Sequence, residues 1–134
     1  MTDDKLLTIY KKFNHHIFEL TNILADVLPN DPIVSTIQRG ITISVMEDKS
    51  ILLQNIGEEL YKFGDEIADN QFDTLINRNW DEYINQSDSI EDAHRIFQTL
   101  KPIWSSYDQE EKNIIAMHIK HLLSEYSKYL VLTN

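Results

Sequence analysis

The stretch LLTIYKKFNHHIFELTNILADVLPNDP, residues 6–32, decides the fold. Its apolar positions Leu6, Tyr10, Phe13, Ile17, Leu20, Leu24 and Val27 recur at alternating spacings of four and three. That spacing lays them along one face of an α-helix, which turns once every ~3.6 residues. The same alternation suits a coiled-coil seam, but Leu7, Ile23 and Leu28 widen the stripe toward the face that a helix presents to a globular core. Pro29 has no amide hydrogen and clashes with the preceding turn, so the helix is expected to stop there. In Pro29-Asn30-Asp31-Pro32, Asp31 suits an N-cap and Pro32 the first helical position, so a second helix is expected to start at once.

Outward from this hairpin the remaining chain also reads as helical. The second helix presents Ile33, Ile37, Ile41 and Val45, with Val34 alongside. A break near Glu47-Asp48-Lys49-Ser50 leads to a third, with Ile51 or Leu52, Leu53, Ile56, Leu60, Phe63 and Ile67 inward. Gly57 and Gly64 lie on one face of it; close packing is expected at Gly57 and termination near Gly64. Residues 65–87 are the least regular part and suit one or two short helices. Asp88 with Glu91, and Asp108 with Glu111, have capping-box spacing and open a fourth helix, ending or kinking at Pro102, and a last one. The last carries Ile115, Ile119, Leu122, Tyr126 and Tyr129 on one face. The expectation is an all-α fold: a single domain over residues 1–134, a compact bundle of about five main helices with one or two short central ones.

Composition narrows the function. With 12 basic and 22 acidic residues the chain carries a formal charge of -10, which opposes direct binding to nucleic acid or to anionic lipid. There is no cysteine, so disulfides, thiolate zinc sites and cysteine nucleophiles are excluded. No apolar run approaches the ~18 residues of a membrane span, and Met-Thr-Asp-Asp-Lys lacks a signal-peptide layout. A cytoplasmic protein is expected.

The negative charge is concentrated. Between Glu58 and Asp92 stand eleven acidic residues and two basic ones, Lys62 and Arg78, which accounts for nine of the ten net charges. On one surface such a segment attracts a basic partner and raises its association rate; dispersed, it serves solubility. Trp80, Tyr83, Trp104 and Tyr107 follow polar breaks, where aromatics cap a core or anchor an interface. The candidate partner-binding residues are therefore Asp65, Glu66, Asp69, Asp73, Trp80 and Tyr83.

Catalytic signatures are weak by comparison. His118, His121 and Glu125 share part of the last helix, but the group is expected at the solvent border and the spacing is only permissive for metal. Glu91 and His94 match the Glu-x-x-His element of paired-metal bundles, yet no second copy exists to complete a site. Of His15 and His16, one must turn away from the face the other occupies. Residues 65–73 lack the alternating ligands and central glycine of a calcium loop. No phosphate loop, nucleophile elbow or His-Glu-x-x-His element occurs. The expectation is a non-enzyme with no cofactor and no metal.

Three blocks of the chain resemble small all-helical proteins encoded by nucleocytoplasmic large DNA viruses, the giant viruses and their relatives. They are Phe18-x-x-x-x-Ile23-Leu24-x-x-Val27 leading into Leu28-Pro29-Asn30-Asp31; Leu52-Leu53 through Tyr61 to Ile67 and Phe72; and Trp104, then Glu111-Lys112-x-x-Ile115 and Leu122-Leu123. The resemblance spans roughly Tyr10 to Leu130, departs at the looser Asp65–Asn70 step, and rests on packing and helix-boundary residues. It implies a helical fold and a viral source, hence the host cytoplasm or the virion, and brings no catalytic residue with it. The expected function is a non-catalytic acidic interaction or structural module that binds a basic or amphipathic protein segment. The rivals are a virion or assembly protein that self-associates through the first helix, a metal-dependent enzyme using His94, His118 or His121, and a transcription or nucleic-acid factor acting through protein contacts alone.

Overall fold

The structure, a computed structural model, describes residues 2–78 and 98–133. Helix α1 spans Thr2–Val27 and α2 spans Pro32–Glu47. A π-helical turn, Leu53–Gly57, runs into α3 (Glu58–Lys62), α4 (Gly64–Ala68) and α5 (Phe72–Ile76). A 3₁₀ turn at Trp104–Ser106 precedes α6, Gln109–Thr133. No strand occurs among the described residues, and the all-α reading holds.

The two longest helices pair antiparallel, as their contacts show. Tyr10 meets Tyr129 with ring centroids 6.3 Å apart, His16 meets His118, and Ile23 and Val27 share a surface cleft with Tyr107 and Ile114. Rising numbers on α1 thus meet falling numbers on α6. The stripe read from residues 6–32 faces this pairing: Phe13, Ile17, Leu20 and Leu24 are buried, while Leu6 and Tyr10 are half-buried and Val27 lies at the exposed end. The chain itself covers this face.

Helix α2 starts as its cap residues dictate. The Asp31 carboxylate accepts a 2.8 Å hydrogen bond from the Ile33 amide, with Pro32 at the first helical position. Val34, Ile37 and Ile41 are buried, but Ile33, expected inward, is 53% exposed. The cause is geometric: a strict four-residue spacing drifts about 40° per step around a helix, so the two ends of that row cannot share one face. The linker after α2 is tied to α1 by Asn14, whose Nδ2 donates to the Lys49 carbonyl at 3.0 Å. Asp48 Oδ1 accepts from both the amide and the hydroxyl of Ser50, and these bonds hold its pKa below the usual carboxylate range.

The expected third helix is broken. Its inward residues Leu52, Leu53, Ile56, Leu60, Phe63 and Ile67 are buried as read, but the backbone widens at Leu53–Gly57 and turns at Phe63, immediately before Gly64. At Gly57 the Tyr126 ring lies so close that a Cβ would sit 2.3 Å from its Cδ1. Helix α4 closes with a Schellman motif. Asn70 adopts φ 60°, the Gln71 amide donates to the Glu66 carbonyl, and the Asn70 amide donates to Ile67. Most of the expected fourth helix, with its Asp88–Glu91 cap, lies outside the described residues. On α6, Asp108 accepts from the Glu111 amide at 2.8 Å, and Ile115, Ile119, Leu122 and Tyr126 are buried.

Candidate functional site

The acidic segment divides into spent and unspent carboxylates. Glu66, on the half-buried side of α4, is bonded to the Arg78 guanidinium, which also lies over the Phe63 ring at 4.7 Å. Asp73, on α5, accepts from the indole Nε1 of buried Trp104. These two side chains lock α4, α5 and the 3₁₀ turn together, so their main work is internal. Glu59 is buried and bonded to Lys62 at 2.7 Å.

Of the remaining acids, three among the described residues make up an exposed acidic ridge along α3 and α4. Glu58, Asp65 and Asp69 are exposed, and no hydrogen bond or ion pair engages their side chains among the described residues. Exposed Tyr61 stands among them, 56% accessible, its ring resting 5.8 Å from that of Tyr126. Glu58 and Tyr61, three apart, share one face of α3, and Asp65 on α4 and Asp69 at its C-cap follow beyond the turn at Phe63. Of the six candidate residues, the structure therefore exposes Asp65 and Asp69 freely, engages half-buried Glu66 with Arg78, and leaves Asp73 exposed but bonded to Trp104. Trp80 and Tyr83 lie outside the described residues. Trp104 and Tyr107 are buried core aromatics. Sequence reading missed Tyr61 as a ridge residue; the signal was a tyrosine three residues beyond one exposed acid and four before another.

A second polar group sits where α1 crosses α6. The Nδ1 atoms of His16 and His118 are 2.9 Å apart, so in the neutral pair one donates and the other accepts. His121 stacks on His16 with centroids 4.7 Å apart and ring planes within 6°, and His15 meets His16 edge-on. Burial, then the neighbouring His121, His118 and His15, lowers the His16 pKa against the opposing pull of Glu125. Burial is also the main cause of the lowered His118 pKa, with Glu19 opposing and His15 and His121 reinforcing. The expectation of a solvent-border group is corrected here. His118 is 8% and Glu125 5% exposed, and only His121 faces water. The antiparallel pairing turns that side of α6 onto α1, which the sequence of α6 alone does not show.

Among the described residues no group of three or more His, Asp or Glu side chains could hold a metal ion. His94 and Glu91 lie outside them. No helix among the described residues is long and apolar enough to cross a membrane. Comparison with known proteins gives no match to a family model, a curated protein or a solved structure, so the functional reading rests on geometry and charge.

Proposed function

We propose that the protein is a non-catalytic interaction module, virus-encoded and acting in the host cytoplasm or the virion, that binds a basic or amphipathic protein segment. The observation that carries this reading is the ridge of unspent carboxylates, Glu58, Asp65 and Asp69, around exposed Tyr61. An exposed aromatic amid like charges offers an anchor with a steering field: the acids raise the encounter rate of a basic segment, and the tyrosine ring supplies apolar area and a face for Arg or Lys. Glu66 and Asp73 contribute to the field, while their bonds to Arg78 and Trp104 give them a structural duty as well.

The test is affinity capture from the native cell, with mass spectrometry, using wild-type protein and the triple variant Glu58→Lys, Asp65→Lys, Asp69→Lys. All three positions are exposed, so the variant keeps its core. The reading expects partners rich in basic segments that are lost from the variant. Retention of the same partners by both proteins would overturn it.

A further inference from the structure

A groove runs between the start of α1 and the end of α6, on residues that the acidic ridge does not use. It is a largely apolar cleft with a volume of about 440 Å³, lined by Ile9, Val131 and Leu132 together with Lys5, Lys12 and Lys128. The volume falls within the ~300–1,000 Å³ of small-molecule sites. Residues 5, 9 and 12 share one face of α1, as 125, 128 and 132 share one face of α6, so the two helices together build a trough.

Its charge is opposite to that of the protein. In a chain of net charge -10, three ammonium groups edge one apolar floor. Lys128 is held by Glu125, whose Oε1 accepts from Nζ at 3.1 Å. Lys5 and Lys12 form no ion pair among the described residues. Glu125 is itself a lining residue and nearly fully buried. Its charge is offset by Lys128, so the free positive charge of the edge is that of Lys5 and Lys12. Val131 is 79% exposed, an aliphatic surface left open by the described residues.

We infer that this groove binds a single-chain anionic amphiphile, its alkyl chain on Ile9, Val131 and Leu132 and its phosphate or carboxylate head between Lys5 and Lys12. An apolar floor selects the chain and the free ammonium groups select the sign of the head. A cationic amphiphile meets like charge at the rim.

The probe is dodecyl phosphate below its micellar concentration, titrated into ¹⁵N-labelled full-length protein and followed by NMR. Dodecyltrimethylammonium is the control of opposite charge, and anionic phosphatidylglycerol vesicles are the arm that distinguishes a bilayer from free monomer. The expected result is saturable shifts at Ile9, Val131 and Leu132 with dodecyl phosphate. Binding should weaken roughly tenfold in Lys5→Glu/Lys12→Glu and again in Val131→Asp, all at exposed positions that the fold tolerates. Equal or tighter binding of the cationic probe would overturn the inference. So would vesicle flotation without monomer binding, which would make this end of the molecule a membrane-contact surface instead.

Discussion

Replacing Gly57 by alanine tests the close approach of the Tyr126 ring to the backbone at that position. An alanine Cβ would lie 2.3, 2.9 and 3.0 Å from the Cδ1, Cγ and Cε1 atoms of Tyr126. That ring is buried and flanked by Tyr61 and Tyr129, each with its centroid 5.8 Å away, so it has little room to swing. Helix propensity favours alanine over glycine by about 1 kcal/mol, while overpacking of this kind costs about 1–3 kcal/mol. The overlap involves three ring atoms, which places the steric cost at about 2–3 kcal/mol, so the net loss is expected to be about 1–2 kcal/mol. In thermal unfolding that corresponds to a Tm lower by roughly 3–8 °C for a chain of this size. Gly64 is the internal control: a Cβ there meets only Leu123 Cδ2, at 3.9 Å, so Gly64→Ala should be neutral or stabilising by up to about 1 kcal/mol. Urea denaturation of these variants, of Tyr126→Ala and of Gly57→Ala/Tyr126→Ala completes the cycle, and in the Tyr126→Ala background the sign of the Gly57 effect should reverse. A Gly57→Ala protein as stable as wild type, or less affected than Gly64→Ala, would refute the packing argument.

Stability should also depend on pH through the histidine pair. The folded-state pKa values of His16 and His118 lie below the ordinary 6.5, so the unfolded chain binds more protons, and stability falls as pH drops below about 6.5. Urea unfolding at about pH 7.5 and about pH 5.5 measures this, and His16→Asn should show a smaller difference between the two than wild type. Asp31→Ala removes the 2.8 Å cap on the Ile33 amide and should cost about 1 kcal/mol, read as a shift in the urea midpoint with an unchanged slope. Leu24→Ala empties a fully buried site on the α1 face and should cost about 2–5 kcal/mol in the same assay.

What the sequence made legible is local and periodic. The α1 stripe, the Asp31–Pro32 start of α2 and the Asp108 start of α6 depend on spacings of three and four or on a cap within a few residues, and each is found in place. Close packing at Gly57 followed from the same reasoning, because a glycine on a buried helix face is best explained by a neighbour. The π-helical turn at Leu53–Gly57 left no trace in the sequence, since widening one turn leaves the apolar residues inward. The exposure of Ile33 needed only the drift of a four-residue row around the helix. Long-range pairings were the harder part. His16 and His118 lie 102 positions apart, and only the antiparallel docking of α1 on α6 brings them to one height. In the same way the run of acids between Glu58 and Asp92 does not reveal that Glu66 serves Arg78 and Asp73 serves Trp104. The acidic count was legible; its division into internal and outward-facing carboxylates required the fold.

The most direct test of the proposed interaction ridge is an NMR titration of the full chain with a Lys- and Arg-rich amphipathic peptide, at low and at physiological salt. The account predicts shifts centred on Glu58, Tyr61, Asp65 and Asp69, weakening as salt rises and abolished by charge reversal at the three acids. Binding that leaves those four residues unmoved, or that is indifferent to both salt and charge reversal, would contradict it.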